Sequence, residues 1–145
     1  MKLKKFKFKK VKSTNNTAMR LIRSGIKNGV ISSETQTKGK GQRGNNWISK
    51  KGNLFLTIFF KVDKKLSLKK ITNINLHIIK KIIENLIKAK IYIKLPNDIL
   101  LNKKKVCGIL QEIIFRNNLK YLIVGIGINL INSPDFKNYP TTYLN

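Results

Sequence analysis

The sequence is poor in residues that usually announce chemistry. It has one cysteine, Cys107, and one histidine, His77, in 145 residues. A single thiol excludes an internal disulfide and fits a reducing compartment. One Cys with one His cannot build a zinc site, and a Ser-His-Asp triad would rest on His77 alone. His77 lies in an apolar helical pattern and reads as structural. No apolar run reaches the length of about 18 residues that a membrane span needs. The N-terminal "MKLKKFKFKK" is basic but lacks the apolar core of a signal peptide. A soluble, cytoplasmic protein without a membrane segment is the expectation.

Acids are scarce too. Six face 31 basic residues, for a net charge of +25. Such a surface attracts polyanions, because neutralised phosphates release counterions. The surplus is nearly all Lys, however, and it accompanies abundant Ile and Asn, three residue types with A/T-rich codons. Charge alone therefore does not establish a nucleic-acid partner. A basic nucleic-acid-binding protein stays open as an alternative, although no helix-turn-helix, zinc finger or RNA-binding aromatic motif is visible. The apolar fraction of 41% fits one globular domain with a real core.

Periodicity outlines the elements. Residues 3–11 alternate around Phe6 and Phe8, as a strand with one buried face does. "STNNTAMRLIRSG" reads as a helix capped by Ser13 or Thr14, with Ala18, Leu21 and Ile22 on one face and Gly25 as its stop. "GVISSE" is a short strand, and "NLFLTIFFK" (Asn53 to Lys61) a strong one by its aromatic and β-branched content. From Leu68 to Ala89 the residues Ile71, Ile74, Ile78 and Ile82 recur at helical spacing. Then come "IYIK", "DILL" folding back at Asn102–Lys104, "VCGILQEIIF" and "LKYLIVGIGINL", the last two joined by an Asn117-Asn118 hairpin turn. The tail from Ile131 reads as loop. The pattern predicts an α+β domain: a mixed, mostly antiparallel sheet with helices packed on one side.

Four polar or glycine-rich spots interrupt this scaffold, each at the end of an element. Ser13-Thr14-Asn15 is explained by helix capping alone. In "TKGKGQRGNNW", Gly39, Gly41 and Gly44 would let backbone amides approach an anion, or simply make a flexible loop. Its G-x-G-x-x-G spacing lacks the strand-loop-helix context of a dinucleotide site. In "KLPND" the strand ends at Lys94, facing a turn of Asn97 and Asp98. In "GIGIN", Gly125 and Gly127 sit inside an apolar strand, as happens where a ligand or another backbone comes close.

The order and spacing of these pieces carry more than any one of them. Ser-Thr-Asn, the Gln36-to-Trp47 glycine loop, Lys-x-Pro-Asn-Asp, Gly-Ile-Leu-x-Glu and Gly-Ile-Gly-Ile-Asn together resemble the catalytic domain of biotin protein ligases. The resemblance runs from about Lys12 to Leu144. It implies the fold shared with class II aminoacyl-tRNA synthetases, and one catalytic domain over residues 1–145. A helix-turn-helix before that domain and the small C-terminal β-barrel of the family are both expected to be absent. Specific DNA binding is accordingly not expected.

The resemblance further implies ATP-dependent formation of biotinyl-5′-AMP and transfer of biotin to a lysine of a carboxylase carrier domain. ATP, Mg²⁺ and biotin would be co-substrates, with no resident protein metal. Lys94 and Arg43 match catalytic cations, acting electrostatically rather than as nucleophiles. Ser13, Thr14, Asn15, Gln36, Gly39, Lys40, Gly41, Gln42 and Gly108 match the biotin and biotinyl-AMP pocket. Asn97, Asp98, Gly125, Gly127 and Asn129 match the nucleotide side. Trp47 is expected to pack under the loop, with Cys107 a small buried neighbour. Family members can pair through sheet edges, so a homodimer is compatible. A lipoate or octanoyl ligase, which shares the fold and an essential lysine, is the nearest alternative.

Two local departures matter. The family loop reads Gly-Arg-Gly-Arg-Arg-Gly-Arg, and here Lys40, Gln42 and Asn45 replace arginines, leaving Arg43. Lysine cannot reproduce arginine's planar fork, and Gln and Asn carry no charge, so weaker retention of the adenylate is expected. Leu95 stands where the family has Trp, which changes packing volume more than chemistry.

Overall fold

The structure is a computed structural model that describes residues 2–145. Its elements are β1 (Lys4–Val11), α1 (Thr14–Arg23), β2 (Asn28–Gln36), β3 (Leu54–Val62), α2 (Leu68–Ile87), β4 (Ile91–Lys94), β5 (Asp98–Leu101), β6 (Lys104–Arg116) and β7 (Leu119–Ile128). A short 3-10 turn spans Gln42–Gly44 in the glycine-rich loop. The strands form one seven-stranded sheet in the order β1-β2-β3-β7-β6-β5-β4. β1 and β2 are parallel, with α1 between them in the chain, and the other neighbours are antiparallel. The predicted α+β class and mixed, mostly antiparallel sheet are what the chain adopts.

Local chemistry accounts for the turns. Asn102 and Lys103 (φ 51° and 62°), and Asn117 and Asn118 (φ 47° and 61°), are left-handed pairs. Two such residues make the hairpin connection that matches strand twist, and Asn tolerates it best. Ser13 caps α1: its hydroxyl accepts from the Asn16 backbone N–H at 3.3 Å. Gly25 follows the helix at φ 103°, where a side chain would be strained.

The helices do not share a side, contrary to the sequence expectation. Ala18 and Ile22 of α1 pack with Ile31, Phe59, Tyr121 and Ile123. Leu76, Ile79 and Ile83 of α2 pack with Ile99, Ile109, Leu122 and Val124. Tyr121 and Ile123 alternate along β7 with Leu122 and Val124, and successive strand residues point to opposite faces. So α1 and α2 cover opposite faces of the sheet, and β7 is buried between two cores. No helix among the described residues is long and apolar enough to cross a membrane.

One register irregularity positions the site. Leu100 pairs with Lys105 and Ile99 with Cys107, which leaves Val106 as an extra residue in β6. This bulge brings Lys105 and Gly108 onto the same face although they are three residues apart. Beyond β7, the chain from Leu130 is pinned by Asn53, whose Oδ1 accepts from the backbone N–H of Leu130 at 2.9 Å and Ile131 at 3.2 Å. The tail then returns alongside β6, where Lys105 N–H donates to the Pro140 carbonyl at 2.9 Å and Thr142 N–H to the Lys105 carbonyl at 2.8 Å.

Candidate active site

A cleft of about 480 Å³ opens on the α1 face of the sheet, at the N-terminus of α1. That volume suits a small molecule. Its wall gathers residues from distant parts of the chain: Ser13, Thr14, Asn15, Gln36, Lys40, Gly41, Gln42, Arg43, Lys94, Asn97, Asp98, Gly108, Gly125 and Gly127. Two residues expected in the site from the sequence are not on the wall. Gly39 stands behind it, where an added Cβ would meet Ser49 Oγ at 2.8 Å and Gln36 Nε2 at 3.0 Å. Asn129 is 2% exposed and donates through Nδ2 to the Thr142 carbonyl at 3.0 Å, so it holds the tail.

At one end the first turn of α1 is wired to the sheet. Gln36 Oε1 accepts from the Thr14 backbone N–H at 2.8 Å, and the Gln36 amide donates to Ser49 Oγ at 3.0 Å. The Thr57 hydroxyl lies 2.7 Å from Asn15 Oδ1 and 2.8 Å from Thr14 Oγ1. Asn15 Nδ2 donates to Glu112 Oε2 at 2.8 Å. Asn15 lies against the bare Cα of Gly125, where a Cβ would collide with its amide. The positive end of the α1 dipole therefore points into a rigid polar corner, an arrangement that favours an anion or electronegative group.

The glycine-rich loop is a small folded hairpin rather than a linker. Gly41 N–H donates to the Asn45 carbonyl at 2.7 Å, and Trp47 N–H to the Gly39 carbonyl at 2.9 Å. Arg43 takes the left-handed φ of 55°. Trp47 then lays its indole over Gly108 and Gly127, where added Cβ atoms would sit 2.7 Å and 2.5 Å from the ring. The strand glycines thus serve internal packing, Asn15 on one and Trp47 on two.

The cations divide into paired and free. Lys40 Nζ lies 2.8 Å from Glu112 Oε1. Lys105 Nζ lies 2.8 Å from Asp98 Oδ1, a close ion contact whose angles leave that buried oxygen without a hydrogen-bond donor. Lys105 also sits over the rings of Trp47 and Tyr139, 5.4 Å and 5.6 Å from their centroids. Lys94, the register partner of Asp98, forms no ion pair among the described residues, and neither does Arg43. Asp98 is thus paired with Lys105, and Lys94 lines the same cleft without an ion pair.

Sequence reading missed Lys105 as a site residue, and it gave no role to Glu112, the last residue of the Gly-Ile-Leu-x-Glu motif, which stands just behind the wall. The bulge at Val106 hides Lys105, because plain alternation would put it on the face opposite Gly108. Glu112 could have been found by counting in twos from Gly108. Cys107 is fully buried on the α2 side, and desolvation pushes its thiol up to about 12. It has no role as a nucleophile at neutral pH. His77 is exposed on α2, one ring nitrogen 2.8 Å from the Asn73 carbonyl, far from this chemistry in the fold.

The chain matches the model of the Biotin/lipoate A/B protein ligase family over residues 6–129. It is 31% identical over 129 residues to the bifunctional ligase/repressor BirA of Bacillus subtilis, which covers 85% of this chain and 39% of that protein. The chain thus spans about two fifths of the length of such curated relatives. The biotin protein ligase of Aquifex aeolicus, solved with biotin and ATP, superposes with a TM-score of 0.81 at 27% identity, over 97% of this chain and 59% of that one. The Leishmania major biotin protein ligase, solved with biotinyl-5-AMP, gives 0.79 at 27% identity, over 99% and 64%.

Proposed function

This chain belongs to the Biotin/lipoate A/B protein ligase family, and on that premise we propose that it activates biotin with ATP and transfers the biotinyl group to a carrier lysine. The observation that carries this reading is the convergence in one cleft of the α1 N-terminus, the glycine loop and the free Lys94. The two matched biotin protein ligases, with their bound biotin, ATP and biotinyl-5-AMP, support the choice of substrates.

Activation brings together two anions, a carboxylate and a triphosphate. Lys94 and Lys105 are placed to offset that repulsion and to stabilise charge that builds at the α-phosphate. Lys94 need not leave a partner to do so. Arg43 lines the cleft from the exposed loop and would contact the phosphates there. Ser13, Thr14, Asn15 and Gln36 form the polar corner suited to a ureido ring, whose buried N–H and C=O groups each cost about 1–3 kcal/mol if left unpaired. Lys40, Gly41 and Gln42 cover the acyl-adenylate, and Gly108 with the Trp47 indole supplies an apolar floor. Holding both substrates in register supplies much of the remaining acceleration.

Asn97, Asp98, Gly125 and Gly127 line the nucleotide side, which Tyr139 of the returning tail borders. Among the cleft-lining residues Asp98 is the one carboxylate, and the Lys105 ammonium already lies 2.8 Å from its Oδ1. Mg²⁺ arriving with ATP would therefore be held mostly by substrate oxygens and water, not by a protein cage. The buried free thiol of Cys107 agrees with residence in a reducing cytoplasm. The acceptor in this reading is a biotin carrier domain.

Ligand-dependent thermal stabilisation tests the substrate choice. Biotin should raise Tm, and biotin with ATP should raise it further. Stabilisation by lipoate with no response to biotin would end the biotin reading in favour of its family sibling.

A further inference from the structure

The tip of the glycine-rich loop carries no apolar anchor: Arg43, Gly44, Asn45 and Asn46 are all exposed. Trp47 packs the end of the loop on the sheet, and the polar tie nearer the tip is Lys40. Its Nζ lies 2.8 Å from Glu112 Oε1 and donates to Asn16 Oδ1 at 3.3 Å. The other oxygen of the same carboxylate, Oε2, accepts from Asn15 at 2.8 Å. One side chain on β6 therefore holds the loop with one oxygen and the first turn of α1 with the other. The pair is sheltered, with 37% of the Lys40 and 22% of the Glu112 side chain exposed, so salt screens it less than a surface pair. Glu112 is not on the cleft wall itself.

We infer that Glu112 is a positioning residue that latches the glycine loop through Lys40, and so sets how fast the loop opens to admit and release ligand. Lys40 is thereby committed to a protein carboxylate instead of a phosphate, which gives this loop a means of closure that does not depend on the replaced arginines. The release part of the inference rests on the function proposed above; the latch itself does not.

Two substitutions separate latch from scaffold. Glu112→Gln keeps an acceptor for Asn15 but removes the charge facing Lys40. Lys40→Met removes the amine and leaves the Asn15–Glu112 bond intact. Loop opening is read in the unliganded protein with an arginine-specific protease, by cleavage after Arg43. The other arginines, Arg20 and Arg23 in α1 and Arg116 at the end of β6, act as controls for global unfolding. Each single variant should cleave at Arg43 about two- to fivefold faster, the range for an ion pair of this kind. The double variant should be no faster than either single one, since both remove the same contact. Release of bound biotin should accelerate by the same factor. Unchanged cleavage at Arg43 in both single variants, fully multiplicative rates in the double variant, or acceleration equal at Arg20 and Arg43, would overturn the latch. Faster Arg43 cleavage in a protein that binds no biotin would leave the latch standing and remove the biotin reading.

Discussion

Gly108 and Gly127 face each other across β6 and β7, and the indole of Trp47 lies over both. A flat floor of two glycines is what lets the end of the loop reach the sheet. In Gly127→Ala the new methyl would sit 2.5–2.9 Å from three indole atoms. The ring must move, at a cost of about 1–3 kcal/mol. Trp47 is the sole tryptophan, so its fluorescence reports the site alone. Gly127→Ala should shift that emission and weaken biotin binding; unchanged emission with unchanged binding would show that the ring does not need this floor.

Gln42 lines the cleft at the start of the 3-10 turn, with no charge to offer a phosphate. Restoring arginine there adds a charge-assisted, forked contact worth about 1.5–3 kcal/mol. Gln42→Arg should slow release of biotinyl-adenylate by about tenfold or more. Release as fast as from the parent chain would mean that this position does not face the phosphate.

Cys107 should resist alkylation in the native protein and react once the chain unfolds. Burial raises its pKa from an ordinary 9.0 to about 12. The sign follows directly. Below pH 9 both states keep the thiol protonated, and above it the unfolded state ionises first, so folding loses stability as pH climbs from 9 towards 12. Relative to Cys107→Ala, the parent should lose about 1.4 kcal/mol per pH unit across that window. Equal alkaline slopes for the two would contradict the burial account.

Much of this was legible in the sequence, for identifiable reasons. Alternating Phe6 and Phe8, the Asn-rich hairpin turns and the apolar spacing of α2 are local signals, and local geometry obeys them. The opposite placement of the helices was not foreseen, although "YLIVGIGI" is apolar at successive positions, as a strand buried on both faces must be. Asp98 and the cleft glycines announce themselves by residue type. Lys105 does not, because a single extra residue, Val106, reverses its face. The tail lacked periodicity because polar clamps hold it, Asn53 and Asn129 above all, and such clamps connect residues far apart in the chain.

The central claim is that Lys94 serves activation in this cleft, and one reaction tests it most directly. The chain is incubated with biotin, MgATP and a biotin carrier domain, and modified carrier is measured beside Lys94→Ala. The account predicts ATP-dependent biotinylation that falls about a hundredfold or more in Lys94→Ala, while biotin still stabilises the variant. A variant as active as its parent, or a parent that leaves the carrier unmodified, would contradict it.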